Sequence, residues 1–167
     1  MAATFQWSGT YGWGAGTSLD LGVSGNLFNF KTDNDLTDET DYTSYPITAG
    51  NNSYEVWLRG HFTGTFNQIQ NLKFWKSAGN YGAGEAIKFV GNVTAFDDPT
   101  TADSPYATGN VPTASPGSAN VSIGGNLAGV LASAGYSDYM VMQLQTTTAA
   151  EAGDTETFTF TLTYDEN

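Results

Sequence analysis

The feature that most constrains the fold is an alternation of apolar and hydroxyl side chains near the end of the chain. The apolar positions are Phe158, Phe160, Leu162 and Tyr164, and threonine occupies positions 157, 159, 161 and 163. A repeat of two built from β-favouring residues predicts a strand with one face on a core and a hydroxyl face toward water or another subunit. A second alternation, at residues 139–146, predicts another strand. Two strands cannot bury their apolar faces alone, so the rest of the chain must supply an opposing sheet.

Shorter segments with the same repeat recur upstream, separated by glycine-rich turns, and no helical repeat persists over three turns. These segments lie at residues 19–23, 27–30, 53–66, 69–76, 87–93 and 119–123. The pattern predicts about seven to nine short strands in an all-β, single-domain antiparallel β-sandwich, Ig-like or jelly-roll in topology. A length of 167 residues fits one such domain.

Two segments depart from this pattern. Residues 1–18 place Trp7, Tyr11 and Trp13 among glycines, which predicts an aromatic, glycine-rich arm ahead of a β-sandwich domain at residues 19–167. The arm docks either on its own domain or on a neighbouring subunit. Residues 97–117 form a long loop with four of the five prolines. This loop is either a strap packed across the sandwich edge or a contact loop that reaches a partner.

The charge balance excludes two classes of partner. The chain has 17 acidic and 5 basic residues, a formal net charge of -12. Such a surface repels phosphate backbones and anionic lipids, so we expect no nucleic-acid partner and no membrane contact. The first residues lack the basic and apolar regions of a signal peptide, which predicts a protein that is made in the cytoplasm and either stays there or leaves by lysis.

Residue types suited to catalysis are sparse. The chain has no cysteine and one histidine, His61, which lies in a strand pattern with no serine placed beside it, so we expect a structural role for this ring. Glu85, Asp97 and Asp98 could supply paired carboxylates for glycoside hydrolysis, but the sequence fixes no separation between them. We therefore expect a non-enzymatic protein without a cofactor, catalytic residues or a metal site.

The acidic run at residues 33–41 deserves comparison with a calcium loop. Asp33, Asp35 and Thr37 have the alternate spacing of oxygen ligands. However, Asp38 occupies the position of the expected glycine, and Ser44 that of the expected bidentate glutamate. A solvated acidic loop is the favoured interpretation, and calcium binding stays open.

Aromatic side chains are the feature most suited to binding. Those that could stack on sugar rings, as in carbohydrate-binding modules on β-sandwiches, or form core and subunit contacts are Trp7, Trp13, Trp57, Trp75, Tyr81 and Tyr106. We predict a protein interface that includes Phe5, Trp7, Tyr11, Trp13, Pro105, Tyr106 and Pro112.

Three segments, at residues 71–76, 137–145 and 153–166, resemble small virion structural proteins of tailed bacteriophages. In that group β-sandwich proteins decorate capsids or build tails, and the chain often ends on a threonine- and aromatic-rich strand followed by acids. The resemblance implies a capsid decoration or cement protein in the virion. Its partners would be a capsid or other structural protein and further copies of itself, as a trimer or higher oligomer. The alternatives are a subunit of an extracellular filament or surface layer and, third, a carbohydrate-binding module.

Overall fold

The protein is an antiparallel β-sandwich with a single domain, as the alternations predicted. A computed structural model describes residues 2–22, 28–37, 43–151 and 157–167. Within these ranges the strands are β1 (Ala3–Tyr11), β2 (Thr17–Gly22), β3 (Val56–Gly64), β4 (Ile69–Ala78), β5 (Glu85–Val93), β6 (Gly109–Asn110), β7 (Gly135–Tyr136), β8 (Tyr139–Thr146) and β9 (Thr159–Glu166). No helix in the described ranges has the length and apolar character needed to cross a membrane.

The strands form two sheets of unequal size. The main sheet has the order β2-β1-β3-β8-β5-β6, with β7 also paired to β3, and the small sheet is the pair β4-β9. All pairings are antiparallel. The core between the sheets is filled from both sides, by residues such as Leu58, Phe62 and Met140 of the main sheet and Leu72 and Phe74 of the small sheet.

The alternation at the end of the chain is confirmed. Strand β8 lies in the main sheet and β9 in the small sheet, so the two predicted strands lie in facing sheets. Phe160 points inward and stacks on Phe74, with ring centroids 5.6 Å apart and an interplanar angle of 9°. Thr159 and Thr163 on the opposite face are exposed. The apolar positions of β9 therefore pack on the core as the period of two requires.

Two of the predicted strands are absent from the described residues. Phe28 and Phe30 pack on Phe160 without joining a sheet, and Val23 and Leu27 lie outside the described ranges. Residues 119–123 run along the edge of β4. There the Asn120 side-chain amide makes the two hydrogen bonds that the backbone of a neighbouring strand would otherwise make. Its amide accepts a hydrogen bond from the Phe74 N–H and donates one to the Phe74 carbonyl, both at 2.8 Å.

The expectation of a separate N-terminal arm needs correction. Residues 3–11 are β1, which is hydrogen-bonded on both sides, to β2 and to β3. Trp7 is only 5% exposed and belongs to the core. The glycine that seemed to weaken this strand makes room for packing, because a Cβ on Gly9 would lie 2.5 Å from Leu36 Cδ1. A boundary at residue 18 would cut through β2.

The proline-rich segment packs on its own domain. Alternation along β3 and β8 sends one set of side chains to the core and the other set to the outer face of the main sheet. On that outer face Trp57 is fully buried. Its ring lies 5.2 Å from the rings of both Phe96 and Tyr106, measured between centroids, and 5.5 Å from that of Tyr139. We call residues 96–107 the strap, since they cross and cover this face.

Candidate functional site

The turn that joins β1 to β2 presents a tryptophan at its tip. Gly12, Gly14 and Gly16 have φ values of 88°, 67° and 66°, a region that glycine adopts readily. The Asn34 amide donates to the Gly12 carbonyl at 2.6 Å and accepts from its N–H at 3.3 Å. The Gly14 N–H donates to Asp98 Oδ1 at 2.5 Å. The turn is therefore held from both sides, by the segment after residue 28 and by the strap.

Trp13, between these anchors, is 61% exposed, the largest exposed fraction among the large apolar side chains described. Its ring meets Tyr54 edge-on, with centroids 5.9 Å apart and an interplanar angle of 80°. An indole in this position leaves most of its apolar area in water, although the turn around it is fixed. Such a side chain is suited to contact a ligand or partner.

A groove opens beside Tyr54, with a volume of about 560 Å³. Its lining is composed of amide, hydroxyl and carboxylate groups and one aromatic ring: Thr32, Gly50, Asn51, Asn52, Tyr54, Thr101, Ala102 and Asp103. The Asn52 amide donates to Asp103 Oδ1 at 3.0 Å, which joins the two walls. We call this the Tyr54 groove.

A buried polar network fixes the strap wall of the groove. Gln143 is fully buried, and its Nε2 donates to the carbonyls of Ala102 at 2.7 Å and of Thr100 and Ser53 at 3.1 Å. Its Oε1 accepts from the Ser104 N–H at 3.0 Å. One side chain thus satisfies several backbone groups of an irregular segment that would otherwise be buried without partners.

Glu55 is the charged member of the same network. Its carboxylate accepts hydrogen bonds from the Ser104 hydroxyl and from the Thr100 N–H. Burial raises the pKa of the Glu55 carboxyl, and the hydrogen bonds from Ser104 and Thr100 oppose that rise. Desolvation is the larger effect, so the folded protein holds a proton on Glu55 more readily than an exposed glutamate would.

The predicted interface residues are divided by the structure. Trp7 is in the core, and Phe5 and Tyr11 pack against it from partly buried positions. Pro105 is exposed and Tyr106 covers Trp57. The Pro112 carbonyl accepts from the Lys76 N–H at 2.8 Å, on the edge of the small sheet.

Tyr106 and the turn that carries Trp13 make hydrogen bonds to two adjacent residues, Asp97 and Asp98. The Tyr106 hydroxyl donates to Asp97 Oδ2 at 2.6 Å, and the neighbouring Asp98 holds the turn that carries Trp13.

The groove residues Tyr54, Asn52 and Asp103 were not predicted. An Asn-Asn pair ahead of a strand was the only signal for this wall, and nothing in the sequence indicated that Asp103 faces it.

Glu85 is too far from Asp97 and Asp98 to form the carboxylate pair considered for glycoside hydrolysis. Glu85 begins β5, and Asp97 follows its other end. At about 3.3 Å per residue the strand separates Glu85 from Asp97 by more than about 20 Å. This is well beyond the roughly 5–10 Å between the two carboxyl groups in retaining or inverting glycoside hydrolysis.

His61 stacks on Tyr136, with centroids 4.2 Å apart, and its Nδ1 lies 3.3 Å from Asp20 Oδ1.

The described part of the acidic run shows a turn. Asp35 accepts the Thr37 N–H at 2.7 Å, and this hydrogen bond lowers the pKa of the Asp35 carboxyl. Residues 38–42 lie outside the described ranges. Within those ranges, no cluster of three or more histidine, cysteine, aspartate or glutamate side chains could hold a metal ion.

The outer face of the small sheet has a different character from the rest of the surface. The register pairs Lys73 with Thr163 and Trp75 with Thr161, all directed away from the core. We call the set Lys73, Trp75, Ser77, Thr159, Thr161 and Thr163 the threonine face. Thr161 donates a hydrogen bond to Ser77 at 2.8 Å. In a chain of net charge -12, this set contains one lysine and no carboxylate. The next outward position of β9, Asp165, is acidic and exposed and lies at the end of the face, paired with Gln70.

No protein-family model, curated protein or solved structure matches the chain.

Proposed function

We propose that this chain is a non-enzymatic structural subunit that decorates an assembled particle, a virus capsid in particular, and that it docks through the threonine face. The observation that carries the proposal is the composition of that face. Hydroxyl groups surround the half-buried Trp75, and the set contains no acidic side chain. A patch with one lysine and no carboxylate is the part of an acidic protein that can approach another acidic subunit with the least repulsion.

The resemblance supports the same face. Residues 71–76 and 153–166 resemble virion structural proteins, and strands β4 and β9, which together build the threonine face, draw on these two segments. The hydroxyl side of β9 is therefore the side that a docking role would use. Core packing of Phe160 and Leu162 on the other side explains the apolar half of the alternation, but it does not require threonine at every intervening position.

Net charge sets how such a subunit assembles. Clustering of several copies, as a trimer or higher oligomer on a capsid, costs electrostatic repulsion when each carries -12. Contacts through hydroxyl groups and Trp75 add no negative charge at the interface. Docking should therefore strengthen as salt screens the remaining carboxylates. The virion is the proposed location, with a filament or surface layer outside the cell as the alternative.

The test compares one added charge at two strand positions that face away from the core, Thr161, which is partly exposed, and Thr4. Thr161→Asp places a carboxylate at the centre of the threonine face, opposite Trp75. Thr4→Asp places one on β1 of the main sheet, where Thr4 is exposed. Binding is measured by co-sedimentation with purified source particles that lack the protein. We expect Thr161→Asp to weaken binding by about tenfold or more, since tenfold corresponds to about 1.4 kcal/mol, and Thr4→Asp to bind like the original chain.

Equal binding by the two variants would show that the threonine face does not dock. Mass spectrometry of native particles provides a second check. Stoichiometric copies beside a capsid protein support a virion component, and absence from all particles would contradict the proposal.

A further inference from the structure

The Tyr54 groove and the exposed indole beside it form a second surface, separate from the threonine face. We propose that this groove binds a neutral oligosaccharide. The proposal does not depend on the docking role, because it uses different residues and a different part of the fold. Its argument rests on shape, rigidity and the chemistry of the lining.

The size of the groove suits a short chain of sugar rings. Its volume of about 560 Å³ lies within the roughly 300–1,000 Å³ that small-molecule sites occupy in proteins. The groove is open to solvent and is lined by residues from three parts of the chain, around 32, 50–54 and 101–103. An open groove can accept internal units of an oligosaccharide as well as its ends.

Both walls are fixed before any ligand arrives. Gln143 holds the strap wall through the carbonyls of Thr100 and Ala102, and Asn52 bonds Asp103 across the groove. The turn that carries Trp13 is held by Asn34 and Asp98. A site that is already ordered loses little conformational entropy on binding, which matters for ligands that gain only weak contacts.

The lining matches the two kinds of surface on a sugar. Amide, hydroxyl and carboxylate groups of Asn51, Asn52, Thr101 and Asp103 can exchange hydrogen bonds with ring hydroxyls. Aromatic rings offer an apolar surface for the C–H face of a sugar ring. Trp13, 61% exposed and edge-on to Tyr54, extends the aromatic surface beyond the groove.

Charge restricts the ligand to neutral sugars. Among the described residues that line the groove, none is basic, and Asp103 is acidic. Sialylated, sulfated and uronic-acid chains would meet a carboxylate within a protein of net charge -12 and find no cation to pair with. Neutral hydroxylated chains carry no such penalty.

The experiment is calorimetric titration with neutral hexasaccharides of gluco, manno, galacto and xylo configuration and with N-acetylglucosamine oligomers. Sialylated and sulfated chains serve as the anionic comparison. Ligands are used up to about 10 mM, which detects affinities near the weak millimolar limit. The variants are Trp13→Ala and Asp103→Ala. Tyr136→Ala is the control, because Tyr136 is also an exposed aromatic residue and lies at β7, away from the groove.

We expect at least one neutral series to bind, with about a tenfold loss in each groove variant and no change in Tyr136→Ala. Thermal unfolding and circular dichroism confirm that each variant is folded. No neutral ligand bound by the original chain would overturn the proposal. So would binding that survives both groove substitutions, or a preference for the anionic chains.

Discussion

The two outer faces of the sandwich carry tryptophans with opposite environments. Trp57 in β3 points outward from the main sheet and is fully buried, because the strap covers it with Phe96 and Tyr106. Trp75 in β4 points outward from the small sheet and remains half-buried among threonines. Both residues alternate with core positions in the same way. The difference comes from the strap, which begins some forty residues after Trp57 and covers the outer face of the main sheet. The strap does not cover the outer face of the small sheet, where Trp75 lies among hydroxyl side chains.

The largest expected effect comes from removing the covered tryptophan. Trp57→Ala should destabilise the protein by about 3–5 kcal/mol, since a large ring is lost from a site that the strap cannot refill. Trp75→Ala should cost less than about 2 kcal/mol, because part of that ring is already in water. Urea unfolding followed by circular dichroism measures both. Equal costs would mean that the two faces are equally covered.

The next effect concerns what holds the strap in place. Gln143→Leu keeps the approximate volume but leaves the Ser104 N–H and the carbonyls of Thr100 and Ala102 without their partner. The buried Ser104 N–H alone costs about 1–3 kcal/mol when it loses its partner, and the two partly buried carbonyls cost less than that. We therefore expect a total loss of about 2–4 kcal/mol. Amide hydrogen exchange should accelerate in residues 100–107. Gln70→Leu, at a partly exposed position on β4 of the small sheet, serves as the control and should leave that exchange unchanged.

The smallest effect is a dependence on pH that arises from Glu55. Burial raises the folded pKa of this carboxyl above its unfolded value. Its contribution to stability is therefore fully present below the unfolded pKa and is lost as pH rises through the folded pKa. We expect the stability of the original chain, relative to Glu55→Gln, to increase as pH falls from neutrality toward the ordinary glutamate pKa of 4.5. A difference that is constant over this range, measured by urea unfolding, would contradict the assigned burial effect.

Local alternation was sufficient to predict the strands that carry it. Residues 139–146 and the inward positions of β9 were predicted correctly, because successive side chains of a strand point to opposite faces and an alternating sequence shows this directly. Residues 3–11 were misinterpreted because their glycines suggested flexibility. The partner that fills the space over Gly9 is Leu36, which no local pattern reveals. Phe28 and Phe30 have a strand-like spacing, but their rings pack on Phe160 while their backbone joins no sheet among the described residues.

The sites were harder to predict, since they combine distant parts of the chain. Trp13 was predicted to be a contact residue from its aromatic ring among glycines. Its neighbour Tyr54 and the wall at Asp103 come from segments about 40 and 90 residues away. The β9 half of the threonine face could be predicted from the sequence, because its threonines alternate with apolar residues. The pairing that places Trp75 opposite Thr161 required the register of the small sheet.

The most direct test of the docking account is hydroxyl-radical footprinting of the protein free and bound to its particle. Oxidation of each tryptophan is read by mass spectrometry. Trp75 should become protected on binding, whereas Trp13, at the turn beside the Tyr54 groove, should oxidise as it does in the free protein. Trp57, fully buried, should remain protected in both states and serves as the internal reference. Protection of Trp13 with no change at Trp75 would contradict docking through the threonine face.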